Sequence, residues 1–170
     1  MQGIHKSIKS FMTLSSAKKQ KISSNATDIS SMNEIRAKIT DIQSSDNLSV
    51  LSLDANGQTM RLMALGLSFP LSHDLEILLG VKSSNISLAT SIQGELSISN
   101  QLPCIIESLE IGTLLCSVKL RFGETLLRSV ITKASALQMG LHEQQNLIAL
   151  IKASDLSIIK IFQTSETKCD

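Results

Sequence analysis

The sequence predicts an all-β chain of two tandem five-stranded barrels behind a polar tail, and three observations carry that prediction. The chain repeats itself at a spacing that suits a small barrel. Within each copy the apolar residues alternate with period two, as in strands that hide one face. The composition is aliphatic, with 42% hydrophobic residues among 170 but four Phe and neither Trp nor Tyr. Side-chain-filled barrels of this size suit aliphatic residues.

The repeat is clearest near the end of each copy. Lys82-Ser83-Ser84-Asn85-Ile86-Ser87-Leu88 agrees in residue type, position by position, with Lys152-Ala153-Ser154-Asp155-Leu156-Ser157-Ile158. The copies also open alike: Asn33-Glu34 with Ile39 and Ile42 stands against Asn100-Gln101 with Ile106 and Leu109. A third anchor sets Gly57-Gln58-Thr59 against Gly123-Glu124-Thr125. These matches imply a disordered basic tail over 1–29, a first module over 30–92 and a second over 97–163, joined by a short Ser/Gly-containing linker.

In the first copy, Leu48 to Leu53 alternates as a strand, Asp54-Ala55-Asn56-Gly57 supplies a turn, and Met60, Leu62 and Ala64 resume the pattern, which together make a hairpin. In the second copy the same units are Leu114 to Leu120, a turn near Phe122-Gly123, and Thr125 to Thr132. Lys133 to Met139 then reads as one or two helical turns stopped by Gly140 in a left-handed cap. Two strands follow, Leu147 to Ile151 and Leu156 to Phe162, read as a final hairpin that Lys152 begins. The first copy is read as four residues shorter at the turn Leu71-Ser72-His73-Asp74, with Gly66 standing where the second has Thr132. Five short strands with a short helix between the third and fourth give the order of an OB-like barrel. Such an interior holds only side chains, so a ligand must bind at the surface or between modules.

Charge and composition exclude several functions. Residues 1–29 hold five Lys against Asp28 alone, a net +4, whereas 30–170 keeps 11 of the 16 basic and 14 of the 15 acidic residues, a net −3. With no broad basic face and almost no rings for stacking, no nucleic-acid partner is expected. No apolar run is long enough to span a membrane. Cys104, Cys116 and Cys169 are too few and too irregular for a disulfide framework or a zinc site, which points to a reduced, cytoplasmic setting. His5, His73 and His142 are scattered, and the chain has no nucleophile elbow or phosphate loop, so no enzyme and no metal site for a bare cation is expected.

The two copies resemble the paired molybdate-binding modules of the Mop/TOBE family. In the second copy the resemblance rests on Asn100-Gln101-Leu102-Pro103 with Ile105-Ile106, on Ile131-Thr132-Lys133-Ala134-Ser135, on Leu137-Gln138-Met139-Gly140-Leu141 and on Ile151-Lys152-Ala153-Ser154-Asp155, in the family's order and spacing. It implies an all-β fold of two tandem OB-like modules, each with a short helix. It also implies an oxyanion, molybdate or tungstate, held where modules meet. A tetrahedral oxyanion needs converging donors rather than a deep pocket. The family's Lys segment matches Lys82, Ser83 and Ser84 in one copy and Lys152, Ala153 and Ser154 in the other. Its opening Ser matches Ser30 and Ser97, with Ser99 nearby, and Thr132 with Ser135 matches a third segment. The opening Arg is missing: Met32 and Ser99 stand in its two places.

Other roles fit the same residues. Lys82 and Lys152 also suit solvated lysines that blunt a strand edge. Ser83, Ser84 and Ser154 also suit turn residues bonded to their own backbone. Thr132 with Ser135 also suits a helix cap. The expected function is non-enzymatic molybdate storage, buffering or delivery by a homo-oligomer, trimer or dimer, whose partners are a molybdate transporter or molybdenum-cofactor synthesis proteins. The alternative is a module that has lost the anion and serves as an oligomerising scaffold or regulatory partner of such a transporter.

Overall fold

The computed structural model describes residues 31–67 and 70–162. The basic tail and Ser30 lie outside them. The elements are β1 (Met32–Ser45), β2 (Leu48–Ala55), β3 (Gln58–Leu65), β4 (Glu76–Lys82), β5 (Ser87–Ala89), β6 (Asn100–Ile111), β7 (Leu115–Phe122), β8 (Thr125–Thr132), α1 (Lys133–Gln138), β9 (Asn146–Ile151) and β10 (Ser157–Phe162). Single 3-10 turns, Ser83–Asn85 and Ala153–Asp155, precede β5 and β10.

Strand alternation sets the core. Along β1, Asn33, Ile35, Ala37 and Ile39 are buried while Glu34, Arg36, Lys38 and Thr40 face out, because successive side chains point to opposite faces. Ile35, Ile39, Leu51, Leu53, Met60, Leu62, Ile77 and Leu79 are fully buried from one sheet, and Leu102, Ile106 and Leu120 from the other. All belong to one continuous cluster. Burying each such side chain contributes roughly 1.5–3 kcal/mol. A bulge at Thr40 in β1 recurs at Glu107 in β6, between Ile39 and Asp41 and between Ile106 and Ser108. Each is pinned by the loop before the fourth strand: the Ile39 N–H donates to the Leu75 carbonyl, the Ile106 N–H to that of Gln145, both at 3.0 Å.

The two five-stranded sheets run β10-β4-β1-β2-β3 and β5-β9-β6-β7-β8, with every pairing antiparallel. Each has the order of a five-strand Greek-key barrel opened between its third and fifth strands. The fifth strand comes from the other repeat. β10 lies along β4, with Ile158 opposite Leu79, and β5 lies along β9, with Leu88 opposite Ala149.

The final hairpin read from the sequence is therefore absent: β4 does not pair with β5, nor β9 with β10. A two-residue hairpin turn needs positive φ. None occurs from Lys82 to Ser87 or from Lys152 to Ser157. The 3-10 turns instead carry the chain across, where Ile86 and Leu156 sink into the shared core at 1% and 4% exposure. The crossing of β5 is fixed further by the Ser129 hydroxyl, which donates to the Ile86 carbonyl at 2.6 Å.

The structure also corrects the alignment of the copies by one residue. In both hairpins two residues form the turn, with Ala55 opposite Gln58 and Phe122 opposite Thr125. Asn56 and Gly57 both have positive φ, whereas of Gly123 and Glu124 only the glycine does. The turns are thus of different types, and their glycines occupy different positions. Gly123 corresponds to Asn56, so Thr132 corresponds to Leu65 rather than Gly66. The loop Gly66–Leu75 is then three residues shorter than Lys133–Gln145, not four. α1 sits in the longer loop, ended by Gly140 at φ +59°, whereas no described residue of the shorter loop is helical.

Candidate functional site

The corrected alignment uncovers a polar framework that joins the repeats. β3 and β8 are edge strands, and an edge strand leaves backbone donors and acceptors unpaired. At Arg61 on β3, one side chain from the other repeat satisfies both. The Arg61 N–H donates to Asn100 Oδ1 at 2.6 Å, and Asn100 Nδ2 donates to the Arg61 carbonyl at 2.9 Å. The pseudo-twofold mate is the same in kind. The Arg128 N–H donates to Asn33 Oδ1 at 2.6 Å, and Asn33 Nδ2 donates to the Arg128 carbonyl at 3.0 Å. A carboxamide carries the same N–H and C=O pair as a peptide, so each Asn acts as one residue of a missing strand. Both are buried, Asn100 completely. The two hairpin tips also touch, where Asn56 Nδ2 donates to the Phe122 carbonyl at 2.9 Å. A Cβ at Gly123 would stand 2.9 Å from the Asn56 side chain.

This framework brings the 3-10 turn after Lys152 against β3, over the open side of the first sheet. A cleft of about 340 Å³ results, lined by Val50, Arg61, Met63, Ser97, Ser99, Lys152, Ala153 and Ser154. Five of the residues singled out from the sequence therefore meet in one place. Arg61, Ser97, Ser99, Lys152 and Ser154 are exposed there. Two cationic and three hydroxyl side chains face this space, with no carboxylate among its walls. Such a wall can hold a compact anion through charge-assisted hydrogen bonds.

The mate of this cleft is different. About 330 Å³ in volume, it is lined by Ser31, Met32, Asn33, Lys119, Leu126, Leu127 and Arg128. Lys82, Ser83 and Ser84 do not line it. Ser83 is fully buried, and its hydroxyl lies 2.6 Å from the Ser31 hydroxyl and donates to the Ser31 carbonyl at 2.9 Å. The Ser84 hydroxyl is exposed and donates to Asn85 Oδ1 at 3.4 Å. Thr132 and Ser135 line neither cleft. Thr132 caps α1, with its Oγ1 accepting from the Ser135 N–H at 3.1 Å and lying 2.8 Å from the Ser135 hydroxyl.

Arg61 was missed in the sequence because the one-residue misalignment set it against Leu127. With the hairpins in register it faces Arg128, and both pairs, Asn33 with Asn100 and Arg61 with Arg128, recur at one spacing. A third hollow, lined by Pro103, Cys104, Ile105, Arg121, Gly123, Asn146 and Leu147, contains a thiol. Burial pushes that Cys104 thiol up to about 11, which keeps it protonated and a poor nucleophile near neutral pH. Among the described residues no group of three His, Cys, Asp or Glu converges as a metal site, and no helix is long and apolar enough to cross a membrane.

The second repeat, from the linker through the start of β10, matches the TOBE domain family over residues 96–158. No curated protein sequence matches the chain. Among solved structures, a crystal form of the cytoplasmic molybdate-binding protein ModG with molybdate bound shares the fold. Its TM-score is 0.72 at 22% identity, over 78% of this chain and 98% of that one. The segment that matches the TOBE family is thus embedded in a two-sheet body that extends over the first repeat as well.

Proposed function

We propose that this protein is a non-enzymatic, cytoplasmic molybdate-binding protein that stores, buffers or delivers the anion, tungstate being the closest substitute. The observation that carries the proposal is the Lys152 cleft. A doubly charged tetrahedral anion offers four acceptor oxygens, and Arg61, Lys152, Ser97, Ser99 and Ser154 offer donors with no opposing carboxylate. The TOBE match and the likeness to ModG support the choice of molybdate among such anions. A homo-oligomer, trimer or dimer, is part of the proposal, since Leu65 and Leu114 are each 78% exposed and Leu137 61%. These exposed apolar side chains are available to an association surface. A molybdate transporter or molybdenum-cofactor synthesis proteins are the proposed partners.

Equilibrium dialysis against molybdate tests the reading, with native mass spectrometry for the assembly. The wild-type chain should take up molybdate and Lys152→Ala should lose most of that uptake. A wild-type chain that takes up none would overturn it. A second reading draws on the Arg128 cleft, where Met32 intrudes and the Ser31 and Ser83 hydroxyls are tied to each other: a scaffold or regulatory partner that no longer uses the anion. On that reading Lys152→Ala leaves assembly and partner contacts unchanged, and no uptake is there to lose.

A further inference from the structure

We infer that Arg61, a residue of the first repeat, contacts the anion held by the Lys152 cleft of the second, and that it makes this cleft the dominant site over its Arg128 mate. The inference rests on the proposed anion-binding function and goes beyond it by naming the residue and ranking the clefts.

The geometry works from the backbone outwards. Asn100 grips both the N–H and the carbonyl of Arg61. The main chain beneath the guanidinium is thus fixed by a fully buried side chain. The guanidinium itself is left for the cleft. The ion pairs formed among the described residues are Arg36 with Glu76, Lys38 with Asp74 and Arg121 with Glu107, and Arg61 takes part in none of them. Ser99, next to Asn100 in the chain, lines the same cleft. It stands where the resemblance expects an Arg, and its short side chain leaves room. A guanidinium from the opposite side, on β3, therefore supplies the planar fork that the second repeat lacks. Such a fork grips two oxygens at once, which an ammonium does not.

The same grip holds Arg128 through Asn33, so the clamp alone does not distinguish the two arginines. Their neighbours do. Arg61 shares its cleft with Lys152 and three exposed serines, whereas Arg128 shares its cleft with Lys119, with a single serine, Ser31, whose hydroxyl is tied to Ser83, and with the apolar Met32, Leu126 and Leu127.

Isothermal titration of the full chain with sodium molybdate separates the outcomes, run on the wild type, Arg61→Ala, Arg61→Lys and Arg128→Ala. Arg61→Ala should weaken binding about ten- to a hundredfold, the loss of one charge-assisted bidentate contact. Arg61→Lys should recover part of that, and Arg128→Ala should stay within about twofold. The exposed Arg61 side chain is not used by the clamp, so the variants should keep the wild-type melting temperature. Arg61→Gln replaces any variant that does not. Wild-type binding with Arg61→Ala unchanged, or with Arg128→Ala weakened as much, overturns the inference while the proposed function stands. A wild-type chain that binds no molybdate overturns both.

Discussion

The cleft at Lys152 and the cleft at Arg128 occupy equivalent places about one pseudo-twofold axis and each holds two cations, yet the first adds three exposed serines where the second has one tied serine and more apolar wall. What they share is the scaffold: an Asn from one repeat gripping an Arg backbone in the other. What differs is small. Ser31 and Ser83 in the first repeat correspond to Ile98 and Ala153 in the second, a hydrogen-bonded pair against an apolar one. Replacing both partners of a buried hydrogen bond by apolar groups can be nearly neutral, whereas replacing one is costly. Duplication has therefore kept the contacts that join the halves and let the walls of the two clefts diverge in pairs.

The strongest way to break this comparison is at the shared scaffold. Asn100→Ala leaves the Arg61 N–H and carbonyl without partners, and Asn33→Ala does the same to Arg128. Each should cost about 2–4 kcal/mol, since two part-buried groups are unpaired and each sits toward the lower end of the roughly 1–3 kcal/mol for a buried one. Urea denaturation measures this. Molybdate titration of the same variants sharpens the contrast, since only Asn100→Ala should also weaken binding. Equal losses of affinity would show the clefts to be functionally alike.

A smaller effect is expected at the diverged pair. Ser83→Ala alone should destabilise by about 1–2 kcal/mol, because the Ser31 hydroxyl loses its partner. The double change Ser31→Ile with Ser83→Ala should recover most of that loss and install the apolar pair of the other half. A double-mutant cycle in urea reads the coupling, and strict additivity would refute the pairwise account.

The smallest effect at neutral pH concerns Cys104, which stands where the first repeat has Ala37. Burial raises this thiol from 9.0 to about 11. The folded state thus keeps a proton that the unfolded chain releases. The contribution to stability is complete below pH 9 and is lost as pH rises towards 11. Cys104→Ala should flatten the melting temperature between those values and change its pH dependence little at pH 7. An alkaline slope that survives the substitution would assign it elsewhere.

Much of the fold was legible because strand burial is periodic. Ile35, Ala37 and Ile39, or Leu51, Leu53 and Ala55, are buried at the spacing that alternation predicts. The helix over Lys133–Gln138 with its glycine stop was equally plain. The destination of the fifth strands was not. Ser87–Ala89 and Ser157–Phe162 have the same pattern whether they pair within a repeat or across to the other, since pairing partners are set by the turn geometry and by where Ile86 and Leu156 find burial. The site divided along the same line. Ser97, Ser99, Lys152, Ala153 and Ser154 stood in recognisable strings, whereas Arg61 was hidden by glycines that look alike in sequence and sit one residue apart in the turns.

The exchange of final strands also bears on how the molecule is made. β10 is the last element of the described chain, yet it completes the sheet begun by β1. Its Ser157 lies opposite Gly80, 77 positions away in sequence. During synthesis the first repeat can collapse, but it has no fifth strand to receive until the ribosome has delivered the whole second repeat. For domains that fold in order of emergence, the N-terminal half usually finishes first. Here the second sheet, which draws its fifth strand from the first repeat, can close first, and the free edge of β4 stays open to a wrong strand until β10 has been made.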